Sequence, residues 1–205
     1  MMYVRFPLSL RNVEDLLHER GIDICHETVR YWWNKFGPLF AGEIRKKRMH
    51  PIPKHSNVKI NGETHYLWRA VDHESEVLET FVSKGRDRKA ALDFLKRILK
   101  KYGAPKVIVT DRLKSYRAAM KISGNEFSQE VGRWKNNRCE NSHLPFRRRE
   151  YAMLKYRRMR SLQKFVSIHA SIFNHFNKER HLNSRDRYKV QREAALVEWQ
   201  QLCAA

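Results

Sequence analysis

The feature that most constrains this chain is a two-residue turn signal, Asn61-Gly62, between two runs suited to strands, Val58-Lys59-Ile60 and Thr64 to Val71. Asn-Gly accepts the positive φ of a type I′ turn, whose twist matches that of paired strands, so the segment predicts a tight hairpin. Glu76 to Val82 alternates well enough to form a third strand of the same meander. Asp87 to Tyr102 then changes to helical periodicity. Ala91, Leu92, Leu95, Ile98 and Leu99 make its apolar stripe, Lys100 and Lys101 suit its last turn, and Gly103 with Pro105 ends it. Lys106 to Thr110 is a short apolar run of the kind a buried parallel strand uses. A helix to about Ile122 and a strand around Phe127 to Val131 follow, and from about Asn137 the composition is helical, with breaks expected at Pro145 and near Asn183.

Three antiparallel strands, helix, strand, helix, strand, helix define an α/β fold with a mixed sheet flanked by helices, in the order of an RNase H-like core. Ahead of it the first forty residues read as paired helices. Ser9 caps one that carries Leu10, Val13, Leu16 and Leu17 and stops near Gly21. Asp23 to His26 leads into a second, with Val29, Trp32 and Phe36 on one face, expected to end at Gly37-Pro38. Two short helices around a glycine turn suggest helix-turn-helix, although a plain packed hairpin has the same pattern. Arg30, Tyr31, Asn34 and Lys35 favour the DNA-binding reading, being phosphate- and base-contacting types on the second helix. Trp32 and Trp33 read as core or interface. The organisation expected is a helix-turn-helix module over 1–41, a shortened basic linker over 42–55 broken by Pro51 and Pro53, an RNase H-like core over 56–182 and a helical tail over 183–205.

Charge points to the partner. Lys and Arg number 42 against 22 Asp and Glu, a formal net charge of +20, more than solubility requires and suited to a polyanion. No apolar run approaches the roughly 20 residues that span a bilayer, and Met1 to Leu10 lacks the apolar stretch of a secretory signal. Cys25, Cys139 and Cys203 are widely spaced and never in CxxC form, which argues for a reducing, cytoplasmic setting without disulfides or zinc. No GxG loop or G-x-S-x-G elbow occurs.

In α/β sheets functional groups collect at the carboxyl ends of strands, and Asp111 ends the most apolar strand of the chain. Glu140, with 28 residues between, opens a helix that can lie back beside that strand end. Two carboxylates meeting there suit Mg²⁺, a hard cation that prefers oxygen ligands, and two-metal phosphodiester chemistry. Helix capping by Asp111 and a helix-dipole role for Glu140 are the bland alternatives. From Arg133 to Arg160 ten basic residues stand against Glu140 and Glu150, with Phe146, Tyr151 and Tyr156 interleaved, the footprint of a phosphate-backbone grip. Arg147, seven residues after Glu140, shares its helix face unless Pro145 kinks the helix.

Together these landmarks resemble the DDE transposases of bacterial insertion sequences, insertion-sequence family six. The stretches that carry the resemblance are 9–40, 58–81, VIVTDRLKSYRAAM at 107–120, GRWKNNRCENSHLPFRRRE at 132–150, and 157–182. The resemblance implies a helix-turn-helix that reads terminal inverted repeats in double-stranded DNA, and an RNase H-like core using three acidic residues and Mg²⁺ to cut and join DNA. It implies assembly as a homo-oligomer on DNA in the bacterial nucleoid. Asp111 matches the second acidic residue, Glu140 the third, and Arg147 a basic residue expected to contact DNA, with Arg148 and Arg149 beside it.

At the first acidic position the chain departs from the family. A W-x-x-D-E stretch is expected just before Val58, but the sequence there is Pro51 to Asn57, and Lys54 falls at the aspartate. An ammonium group cannot ligate Mg²⁺, and Asp72, at the far end of the second strand, reads as a turn residue. The expectation is therefore a transposase with an impaired metal site; the alternative is a non-catalytic DNA-binding remnant or regulator. A nuclease acting on RNA fits less well, because a recognition helix suits the B-form major groove.

Overall fold

The structure is a computed structural model; it describes residues 2–45, 52–72, 76–104, 107–110, 114–124, 129–131, 133–153, 156–176 and 183–204. It is mixed α/β and divides into two compact units. A helical unit gathers residues 1–47, 149–153 and 168–205, and a sheet unit gathers 48–148 and 154–167.

In the sheet unit, strands β1 (Ile52–Ile60), β2 (Glu63–Val71) and β3 (Val77–Ser83) form an antiparallel sheet in the order β1-β2-β3. The β1–β2 turn has φ of 50° at Asn61 and 85° at Gly62, the two positive values a type I′ turn needs. Pairing runs from Ile60↔Glu63 out to Ile52↔Val71, with Lys54 in register with Arg69. β2 is central and buried on both faces. On one face Trp68 and Ala70 pack against helix α4 (Arg88–Tyr102) through Ala91, Phe94, Leu95 and Ile98, and against helix α5 (Lys114–Ile122) through Tyr116, Ala119 and Met120. Asp87 caps α4 by accepting the Ala90 N–H at 2.8 Å, and Gly103 closes it at φ 77°.

Strand β4 (Ile108–Thr110) lies beside β1 and pairs in parallel with β5 (Gln129–Val131). This arrangement is consistent with an RNase H-like core. Helix α6 (Arg133–Ala152) and helix α7 (Met159–Phe176) follow. The outer edge of β3 is closed by one side chain of α7. Gln163 accepts the Val82 N–H at 2.8 Å and donates to the Thr80 carbonyl at 2.9 Å, occupying two edge groups that would otherwise be open to pairing.

The helical unit holds α1 (Met2–Arg5), α2 (Leu10–His18), α3 (His26–Arg45), the second part of α7 and α8 (Arg185–Ala204). Ser9 and Asn12 form a capping box at the start of α2, each side chain bonded to the other's backbone N–H. Val4, Ala41, Ile44, Ile168, Ile172, Phe176 and Trp199 make the core, with Trp199 edge-on to Phe40 at 5.0 Å. α8, set apart as a tail on sequence, thus supplies part of this core.

Two expected breaks, at Gly37-Pro38 and at Pro145, are absent. α3 does not end at Gly37-Pro38 but runs to Arg45, because its apolar side carries on through Phe40, Ala41 and Ile44. Each large buried side chain gains about 1.5–3 kcal/mol, which together exceed the roughly 3 kcal/mol an interior proline costs. Gly37 sits closely packed in that turn: a Cβ there would lie 3.1 Å from the Trp33 ring and 3.4 Å from Ile168. α6 likewise continues past Pro145 and starts at Arg133. Of the stretch expected as linker, 42–55, residues 46–51 lie outside the described residues; the rest is helix as far as Arg45 and strand from Ile52, where β1 supplies β2 with a backbone partner.

Replacing Gln163 by Leu leaves the Val82 N–H and Thr80 carbonyl without their partner. Chemical denaturation of Gln163→Leu should show a loss of about 2 kcal/mol; an unchanged midpoint would mean that water or another group satisfies the edge equally well.

Candidate functional site

The helix that carries Glu140, α6, also carries buried residues that anchor it to the sheet. Six residues after Glu140, Phe146 is fully buried beneath the sheet face opposite α4. Its ring stacks on Tyr156 at 6.5 Å, meets Phe165 of α7 at 6.4 Å, and lies 5.4 Å below the guanidinium carbon of Arg69. Tyr156 itself bridges to Ile60 at the end of β1. The next residue, Arg147, is half-buried, and its Nη2 donates to the Asn57 carbonyl of β1. An aromatic cluster and a side chain-to-backbone bond therefore fasten α6 to β1, on the face where position 54 is in register with Arg69.

Arg69 carries no signal in the sequence, since an arginine in a strand normally reads as solvent-facing. It is 1% exposed, and the ring of Phe146 faces its charge. His143, one turn before Phe146, is also buried. Neither stood out, because burial of a polar side chain depends on which element covers it.

Asp111 follows β4 directly but lies outside the described residues. Glu140 lies within α6, at a position whose side chain is likewise outside them. Among the described residues no group of three His, Cys, Asp or Glu side chains could hold a metal ion. Asp72 behaves as a turn residue: its Oδ1 accepts the Glu76 N–H at 2.9 Å and its own N–H donates to the Glu76 carbonyl at 3.0 Å.

The three arginines grouped on sequence have three environments, as expected of successive residues set about 100° apart on a helix. Arg147 is tethered to β1 and Arg148 is exposed. Arg149 belongs to the helical unit, is 2% exposed, donates from Nε to the Tyr3 carbonyl at 2.8 Å and covers the Tyr3 ring at 4.5 Å. Burial raises the Tyr3 phenol above its ordinary value, with the Arg149 charge acting in the opposite sense. A side chain this enclosed contributes to the packing of the helical unit.

On α3, Arg30, Tyr31, Asn34 and Lys35 are all exposed and fall along one side of the helix. Arg30 pairs with Glu27 at 2.6 Å, and the Lys35 ammonium stands 5.5 Å over the Tyr31 ring. The helix start is held to α2 by Glu14, whose Oε2 accepts from the His26 backbone N–H at 3.1 Å and lies 2.9 Å from its Nδ1. Cys25 sits at the same start, and a hydrogen bond with Thr28 lowers its thiol below the usual value. Trp33 belongs to the packed side, edge-on to Tyr3 at 5.6 Å, while Trp32 remains partly exposed.

The three-stranded antiparallel sheet, the parallel β4–β5 pair and the helix fastened to β1 make a mixed α/β unit consistent with a DDE-type, RNase H-like domain. The sequence model of the DDE-domain family of IS240-type transposases matches residues 55–179, more than half of the chain, beginning one position after Lys54. A transposase for the insertion sequence-like element IS431mec of Staphylococcus aureus is 34% identical over 122 residues, covering 58% of this chain and 54% of that one. The transposase for insertion sequence element IS257 in transposon Tn4003, also of Staphylococcus aureus, matches to the same extent. A Methanocaldococcus jannaschii protein is 32% identical over 123 residues, 60% of this chain and 57% of its own. The chain belongs to the DDE transposases of insertion-sequence family six. It spans about half the length of the curated relatives it matches.

Neighbouring arginines with such different environments make a direct test. Arg149→Ala should cost about 2–3 kcal/mol in chemical denaturation, since a buried charged hydrogen bond and its packing are removed. Arg148→Ala should stay within about 0.5 kcal/mol, as exposed substitutions do; equal losses would contradict the placement of both side chains.

Proposed function

We propose that this chain is an insertion-sequence transposase that binds element ends in double-stranded DNA through α3 and carries a DDE core whose strand transfer is impaired at its first acidic position. The observation that carries the reading is the fastening of α6 to β1, which holds the Glu140-bearing helix over the face of the sheet that includes position 54. The family match over 55–179 supports the class of chemistry.

In this reading Arg30, Tyr31, Asn34 and Lys35 enter the major groove, with Arg30 and Asn34 reaching base edges and Lys35 the phosphates. Arg148 adds a phosphate contact, and Arg147 acts as a positioning residue, holding α6 against Asn57. Asp111 and Glu140 supply the hard oxygen donors that suit Mg²⁺, which when bound would polarise the scissile phosphate and favour deprotonation of the attacking hydroxyl. Two carboxylates are the oxygen donors a hard cation prefers, and at the position where the family pattern expects a third the sequence has Lys54, whose ammonium cannot ligate a metal ion. Regulation by DNA binding alone is the second reading, and Lys54 is the observation that favours it. A reducing cytoplasm and assembly as a homo-oligomer on paired ends go with either.

A Mg²⁺-dependent strand-transfer assay on terminal-repeat DNA separates the two. The chain as it stands should join ends no faster than Glu140→Gln, while end binding should survive both chelation and that substitution. Restoring the motif with Pro51→Trp, Lys54→Asp and His55→Glu should raise joining by more than the roughly 100-fold that even an outer-shell ligand change is worth. Robust joining with Lys54 in place would overturn the impaired site; no gain after restoration would favour the regulator.

A further inference from the structure

α4 and α5 present a second basic surface that the family chemistry does not call on. Both helices bury their apolar sides against Trp68 and Ala70, the face of the sheet opposite the one that Phe146 and Arg69 share. Their outer sides are therefore turned away from α6. On α4, Lys89, Lys96 and Lys100 are exposed and, with Asp93, recur at steps of four, three and four, which is a single stripe. On α5, Lys114, Arg117 and Lys121 repeat at steps of three and four and are also exposed.

Two other cations of α4 are occupied. Arg97 lies 4.5 Å over the Phe81 ring, and Lys101 pairs with Glu79 at 3.3 Å. The six stripe residues have no carboxylate partner among the described residues, and Asp93 is the one acidic side chain in either stripe. A solvated helix face would ordinarily mix signs at i,i+4 spacing to gain ion pairs. This one sets six positive groups against a single carboxylate on two packed helices.

We propose that the outer face of α4 and α5 grips the phosphate backbone of duplex DNA without reading its sequence, separately from α3. From Lys89 to Lys100 the helix advances about 16 Å, the axial span of about five phosphates of one strand. The α5 stripe runs beside it and broadens the contact. Lysines predominate, with no Asn or Gln in either stripe, which suits point-charge contacts to phosphate and not recognition of base edges. The inference rests on the DNA-processing reading but not on end recognition by α3.

The test is the salt dependence of binding by the full chain to a short random-sequence duplex, and to one carrying the element end. Lys89→Gln/Lys96→Gln/Lys100→Gln should flatten the plot of log K against log salt by about 2 to 3, near 0.9 for each phosphate no longer neutralised. Lys114→Gln/Arg117→Gln/Lys121→Gln should do the same independently, and both should unfold at the temperature of the unaltered chain. Arg185→Gln/Arg187→Gln/Lys189→Gln removes equal charge from α8 and should leave the slope within about 1. A slope unchanged by the α4 and α5 variants, or lowered equally by the α8 variant, overturns the proposal. Loss of end preference in Arg30→Ala/Lys35→Ala with the random-duplex slope retained supports it; a chain that binds no duplex at all overturns both readings.

Discussion

Register is decided at the Asn61-Gly62 turn, and most of the sheet unit depends on it. Two residues with positive φ allow one tight closure, and from there every cross-strand pair out to Ile52↔Val71 is determined. Side chains alternate between faces, so a slip by one residue would bring Val58 and Ile60 out of the core and put Trp68 and Ala70 on the side that α6 covers. With the register as it is, Trp68 and Ala70 meet α4 and α5, while Leu67 and Arg69 lie on the other face, where Phe146 closes under Arg69. The hairpin thereby determines which helices cover which side of β2.

How much of this was legible follows from the range of the interaction responsible. The hairpin and α4 are local: turn chemistry marks one, while a capping aspartate, an apolar stripe and a closing glycine mark the other. The runs through Gly37-Pro38 and Pro145 were not legible, because what holds α3 together past Pro38 is contact with Ile168 and Trp199, far away in the chain. The first half of β1 shows no alternation and contains Pro53, yet β2 draws it into the sheet. Around the candidate site, the family was readable from the stretches that hold Asp111 and Glu140. The division of labour among Arg147, Arg148 and Arg149 was not, since it is set by the helix angle and by the neighbours each side chain meets.

That division changes how the net charge of +20 should be read. Several cations of this chain are structural. Arg149 holds a carbonyl inside the helical unit, Arg69 is buried over an aromatic ring, and Arg97 and Arg5 lie on ring faces. Counting charges along 133–160 therefore overstates how much of that segment faces a polyanion. The exposed stripes of α4 and α5 lie outside the segment that looked most basic in the sequence, and they are more open to a phosphate backbone than two of the three arginines at 147–149.

Electrostatics at position 54 connects stability with chemistry. Residues in register on neighbouring antiparallel strands carry their Cβ atoms about 4.5–5.5 Å apart, close enough for opposite charges to attract and like charges to repel. The residue in register with 54 is Arg69, held in place by the ring of Phe146 from the same helix that bears Glu140. Arg69 is 1% exposed on the central strand, so its charge is desolvated and must be balanced from within the fold. The ring face of Phe146 meets part of that need, which ties the stability of the sheet to the placement of α6, and the backbone register sets a lysine of the sequence, Lys54, opposite this position.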